Sequence, residues 1–216
     1  FILIIGSTLF WSSFEQQPTS FNLFADRYTD LNVLGFEIPS IWFQSLNPLF
    51  ILLLAPIVSI VWIKLANRGL EPNSMVKFAL GMLLTAAGFS LMIFASKSIL
   101  TSDGALASPL WLVGSLLLLT LGELALSPVG LSAMTKLAPK GMQGQMMGLF
   151  FATVAMSNLV AAFFRGHVSA DKIEGLPTLF TTMTVFLVVT AVVLLVLAKP
   201  INNMLVKSEQ ADKAAQ

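Results

Sequence analysis

At 216 residues the chain is 56% hydrophobic and only 11% charged, with a mean hydropathy of +0.85. A soluble domain of that size has too little interior to hide so much apolar surface, so the composition implies an integral membrane protein. No cysteine and a single histidine, His167, exclude a disulfide framework, a thiolate metal site and a histidine metal cluster; a net charge of +1 without a basic run gives no footprint for nucleic acid.

The first segment begins at Phe1, carries Ser12, Ser13 and Glu15, and has no small-residue cleavage site. It is therefore not a signal peptide, and the chain is expected to be a piece of something longer. Membrane-length apolar runs predict six helical spans: Phe1–Ala25, Ile41–Leu65, Met75–Ala95, Pro109–Leu137, Gln143–Arg165 and Leu176–Ala198. None alternates in hydropathy as a β-barrel strand does, so the expected fold class is an all-α membrane bundle.

Within the first span Trp11 and Glu15 are four residues apart and share a helix face, with Ser12, Ser13, Gln16 and Gln17 nearby. The second span holds Gln44 and Asn47, three apart, with Pro48 next to them; an intramembrane Asn either bonds a peptide-like backbone or joins two helices. In the fourth span Glu123 sits mid-way along an apolar stretch, where a carboxylate costs roughly 2.5–3.5 kcal/mol to insert. Ser127 lies one turn on, followed by Pro128. A carboxylate and a hydroxyl on one face suit an ammonium group, and no lysine or arginine at mid-depth offers a structural partner instead. Two isolated acids in two spans point to transport coupled to protons or other cations.

In the fifth span Ser157 and Asn158 are expected to make helix–helix contacts, and Gly144 and Gly148 to form a small-residue packing seam. The sixth span is apolar nearly all round, as a lipid-facing peripheral helix would be. Residues 1–198 form the expected bundle and 199–216 a polar cytoplasmic tail, whose run from Lys207 to Gln216 is expected to fray. Pro18, Pro48, Pro56 and Pro128 fall inside spans, where each removes a backbone hydrogen bond and can kink its helix.

Threading the spans alternately puts Lys64, Arg68, Lys77, Lys136, Lys140, Lys199, Lys207 and Lys213 on one side. Arg27, Lys97, Arg165 and Lys172 fall on the other, with Asp26, Asp30, Glu37, Asp103, Asp171 and Glu174. The positive-inside rule makes the first side cytoplasmic, together with both termini.

The run Trp11-Ser-Ser-Phe-Glu15-Gln-Gln-Pro-Thr-Ser20 resembles the seventh helix of proton-dependent oligopeptide transporters, and Gln44-Ser-Leu-Asn47-Pro48 resembles their eighth. Gly122-Glu123-Leu-Ala-Leu-Ser127-Pro128-Val-Gly130-Leu-Ser132, then Lys136-Leu-Ala-Pro139, is similar to the tenth helix and the loop after it; Met146-Met147-Gly148-Leu-Phe150-Phe151 matches the start of the eleventh. Lys64-Leu-Ala-Asn67-Arg68-Gly69 resembles a degenerate copy of the cytoplasmic gating loop of the major facilitator superfamily. The resemblance implies the C-terminal six-helix half of such a fold, half of a proton-coupled di- and tripeptide symporter working by alternating access.

It further implies that Glu123 binds the peptide amino terminus with Ser127 beside it. Asn47 contacts the peptide backbone, Trp11 and Phe150 line the pocket, and Glu15 takes part in proton coupling. Phe150 departs from the tryptophan common there, which implies a larger or less polar side-chain pocket. The implied partners are the N-terminal six-helix half, a di- or tripeptide and the lipid bilayer of a bacterial inner membrane. Protons are the coupling ion, no other cofactor is implied, and the chain is not read as an enzyme. The competing readings are half of a drug or nitrate transporter of the same superfamily, a membrane-embedded enzyme using the two carboxylates, and an assembly subunit without transport activity.

Overall fold

A computed structural model describes the backbone of residues 2–33, 35–102, 105–136, 141–167 and 173–214; the side chains of residues 2–3, 33, 131–136, 164–167 and 201–214 lie outside the description. The helices are α1 (Ile2–Phe14), α2 (Asn22–Tyr28), α3 (Trp42–Asn67), α4 (Ser74–Thr101), α5 (Pro109–Lys136), α6 (Gln143–His167) and α7 (Leu176–Ala214). Among the described residues five helices, α3 to α7, are each long and apolar enough to cross a membrane. The remaining predicted span, the first in the chain, is composite. At 13 residues α1 rises only about 20 Å, and a π-helical turn over Gln17–Phe21 and then α2 continue the segment to Tyr28.

Pro18 explains the interruption. It has no N–H for the carbonyl one turn back, and the backbone around it changes register. Gln16 N–H bonds Ser13 O at 3.1 Å, a short step of three residues, while Phe21 N–H bonds Gln16 O at 3.2 Å across five. The Thr19 hydroxyl donates to the loosened carbonyls of Glu15 and Gln16, each at 3.3 Å. Pro48, Pro56 and Pro128, by contrast, ride inside continuous helices.

Lipid is as apolar as leucine, so helices associate in a membrane by close packing rather than by hydrophobic expulsion. The tightest seam is α4 against α5. A Cβ on Gly81 would lie 2.7 Å from Gly122 O, and one on Gly88 would lie 2.9 Å from Ser115 O. That closeness lets the buried Ser115 hydroxyl cross between helices to Gly88 O at 2.7 Å. Other intramembrane hydroxyls, those of Thr85, Ser96 and Thr184 among them, bond the carbonyl four residues back. On the opposite side of α4, Phe89 and Phe180 of α7 meet at 6.1 Å, and Phe21 packs edge-on against both at 5.4 and 5.6 Å. α7 buries Leu179, Phe180, Met183, Leu187 and Ala191 and exposes Val185, Val189, Val192 and Val196, as a peripheral helix should.

At Gly144 and Gly148, where a small-residue seam is expected, no described residue comes within 4 Å of the Cβ position. Ser157 and Asn158 both bond Val154 O of their own helix; Ser157 is fully buried, as a packing position would be, whereas Asn158 is exposed. The backbone of the polar tail continues as helix through Pro200 to Ala214, into the run from Lys207 that is expected to fray.

At one end of the bundle α3 closes with Gly69 at a φ of +67°, its N–H on Ala66 O and that of Leu70 on Leu65 O, a pairing that stops a helix cleanly. Asn73 then caps α4 by accepting from Val76 N–H at 2.9 Å, and Lys77 pairs with Glu71 at 2.6 Å, 5.0 Å from the Trp62 ring. Lys64, Arg68 and Lys77 thus share this end. At the other end Tyr28 O and Asp30 N–H both bond Ala107, bringing the segment after α2 to the one before α5. An unforeseen two-stranded hairpin, β1 (Asn32–Val33) with β2 (Phe36–Glu37), lies there, turning at Gly35 with a φ of +84°. Arg27 and Lys97 belong to that end. Lys140, Lys172, Asp103 and Asp171, assigned sides from sequence, lie outside the described residues, as do the side chains of Lys136, Arg165, His167, Lys207 and Lys213.

Candidate functional site

Asn47 on α3 and Glu123 on α5 are 76 residues apart in sequence, and the fold joins them. Asn47 Nδ2 donates to Glu123 Oε2 at 3.1 Å and to Thr120 Oγ1 at 3.2 Å. Thr120 precedes Glu123 by three residues and so occupies the same face of α5. Its hydroxyl hydrogen is spent on Leu116 O at 2.8 Å, so its oxygen meets Asn47 as an acceptor. Asn47 and Glu123 are each half-buried, while Thr120 is fully enclosed. The cluster therefore presents a carboxylate and a carboxamide at a partly open face, with a hydroxyl behind them.

Among the described residues neither Glu123 nor Glu15 is joined to a lysine or arginine. An acidic oxygen in such surroundings attracts a cation strongly, because few solvent dipoles compete. The arrangement suits an ammonium group flanked by an amide. Ser127 lies one turn beyond Glu123, half-buried on the same face.

The remaining predicted residues fall into two further places. Trp11 and Glu15 lie on the first span, which packs against α6. Glu15 N–H closes the last regular turn on Trp11 O at 2.9 Å, so Glu15 sits where the helix breaks, half-buried. The next residue pins that break: Gln16 Nε2 reaches Ala161 O of α6 in a long 3.5 Å contact, and Gln16 Oε1 accepts from the Ser20 hydroxyl at 3.0 Å. Trp11 packs edge-on against Phe10 and Phe14 at 5.5 and 5.3 Å, and its buried Nε1 has no hydrogen-bond partner among the described residues.

Phe150 is only 4% exposed. Its ring fills the space a side chain at Gly130 would need, with Cε2 2.9 Å from that glycine's Cβ position. Gly130 is two turns beyond Glu123, about 10 Å along α5. Gln44, grouped with Asn47 in the sequence, instead lines a cleft between the first span, α3 and α5 with Gln17, Asn22 and Phe43.

Thr120 was not singled out from the sequence, where it is one hydroxyl in a leucine run. The signal available was its i, i+3 spacing to Glu123.

The POT family model matches residues 1–183. Among curated proteins the chain is 54% identical to the peptide transporter YePEPT of Yersinia enterocolitica over 95% of its length, and 34% identical to a di-/tripeptide transporter of Lactococcus lactis over 94%. It spans about 40% of the length of each of these relatives. Among solved structures it superposes on a mutant of the peptide transporter POT in complex with alafosfalin with a TM-score of 0.84 and 38% identity, covering 93% of this chain and 40% of that one. The fold is accordingly half of a major facilitator superfamily bundle.

Proposed function

Because the chain belongs to the POT family, we propose that it is the C-terminal half of a proton-coupled di- and tripeptide symporter of a bacterial inner membrane. The observation that carries the reading is the Asn47–Thr120–Glu123 cluster on a partly open face of the bundle. A peptide offers an ammonium group next to an amide, and the cluster offers a carboxylate next to a carboxamide. The relatives named as a peptide transporter and a di-/tripeptide transporter support that substrate class.

In this reading Glu123 takes the peptide ammonium, Ser127 sits beside it, and Asn47 accepts from the peptide backbone. Trp11 and Phe150 shape the pocket. The N-terminal six-helix half supplies the cation for the substrate carboxylate. Substrate sits at mid-membrane between halves, and rocking of one half against the other alternates access. Glu15, at the break in the first span, loads and releases the coupled proton. The end bearing Lys64, Arg68 and Lys77 is cytoplasmic, with both termini and residues 199–216, as the excess of basic residues there favours.

The test is competition binding to the complete transporter. Losing one partner of a desolvated charge pair costs about 2–5 kcal/mol, so Glu123→Gln is expected to weaken free-amine dipeptides by about 30-fold or more. N-blocked analogues should change little. Equal losses for both would remove the assignment.

A further inference from the structure

We infer that Thr120 is a positioning residue that fixes the orientation of the Asn47 amide, so that the site reads an N–H donor on the substrate. The inference rests on the reading that this cluster binds peptides. A side-chain amide can turn by half a revolution and exchange its donor end for its acceptor end. Two independent groups on α5 decide which end faces it. Glu123 Oε2 accepts from Nδ2 at 3.1 Å and so demands the donor end of the amide. The Thr120 hydroxyl has given its hydrogen to Leu116 O at 2.8 Å, so its oxygen also demands Nδ2, at 3.2 Å.

Both hydrogens of the Asn47 amide are thereby consumed on α5, one by each partner. Oδ1 is the atom left to face a substrate, and an acceptor there recognises an N–H. The two constraints differ once substrate arrives. An ammonium takes over Glu123 and competes with Asn47 for that carboxylate. Thr120 keeps its demand throughout, because it is fully buried behind the cluster and no substrate reaches it. Its hydroxyl holds Oδ1 outward at the moment when Glu123 alone no longer does.

The consequence is a preference for an amide over its ester isostere. We would compare dialanine with the analogue whose peptide N–H is replaced by oxygen, by competition binding to the complete transporter. One hydrogen bond sets the expected preference in the wild type at about five- to tenfold. Thr120→Val keeps the shape and removes the hydroxyl, freeing the amide to turn. Its preference should fall toward one. Thr120→Ser retains the hydroxyl and should restore the wild-type ratio; a packing role for Thr120 predicts the reverse, because valine fills the volume and serine does not. A Thr120→Val protein that keeps the full preference overturns the inference, and so does a wild type with none. Failure of the underlying reading shows separately: dialanine would then bind no better than its N-blocked form to the wild type.

Discussion

The α4–α5 crossing gives a direct test of what holds this bundle together. In Gly81→Ala the new Cβ would lie 2.7 Å from Gly122 O, a backbone atom that no side-chain rotation can move away. Ordinary contact needs about 0.7 Å more, so the helices must part. Parting lengthens the 2.7 Å Ser115–Gly88 bond, which depends on the close approach. Overpacking of this kind costs about 1–3 kcal/mol, offset by about 0.5–1 kcal/mol because alanine suits a helix better than glycine. The net expectation is a destabilisation of about 1–2 kcal/mol, with dipeptide affinity reduced as Thr120 and Glu123 move relative to Asn47. Gly6→Ala is the control, since its Cβ meets the flexible ends of Leu194 and Met82 at 3.6 Å. Thermal unfolding of the complete transporter in detergent should show Gly81→Ala lowered and Gly6→Ala unchanged or raised. Equal behaviour of the two variants would refute the argument that backbone contact sets this seam.

Glutamine matches the protonated carboxyl in shape but cannot release a proton, so Glu15→Gln should abolish gradient-driven accumulation in proteoliposomes and leave peptide exchange between loaded sides; parallel loss of both would assign Glu15 a structural role. In a complete transporter cleared of any cysteines outside these residues, which have none, a single cysteine at Lys64 or Arg68 should react with an impermeant maleimide only from the cytoplasm and one at Arg27 or Lys97 only from outside, and the reverse pattern would invert the topology. Gly69→Ala must hold a φ of +67° and should cost about 1 kcal/mol in thermal stability; so should Asn73→Ala, which removes the cap on Val76 N–H, and an unchanged melting temperature in either would discount that loop as a source of stability.

Much of the bundle was legible because membrane spans write themselves in hydropathy, and Glu123 stood out because a carboxylate in hydrocarbon is costly. Asn47 was equally visible, but its meeting with Glu123 was not, since the approach of α3 to α5 is a tertiary matter. Thr120 was hidden for a related reason: most intramembrane hydroxyls bond their own helix, and only the position of Asn47 gives this one a second duty. The glycine spacing at Gly144 and Gly148 does not say which face meets a neighbour, and within this chain that face is open among the described residues. Gly81, Gly88 and Gly122 carry the seam, and they are spread over two helices. Proline was similarly ambiguous. Pro18 sits in a broken turn among Gln16, Gln17 and Thr19, whose side chains and backbone rearrange there, whereas Pro48, Pro56 and Pro128 leave their helices continuous.

The central claim is that Glu123 and Asn47 together receive the amino-terminal end of a peptide. A structure of the complete transporter with dialanine bound tests it at the atoms concerned. The account predicts the ammonium nitrogen about 3 Å from a Glu123 carboxylate oxygen and the peptide N–H directed at Asn47 Oδ1, with Asn47 Nδ2 still on Thr120. A bound peptide whose ammonium lies elsewhere, with the Asn47–Glu123 hydrogen bond undisturbed, would contradict it.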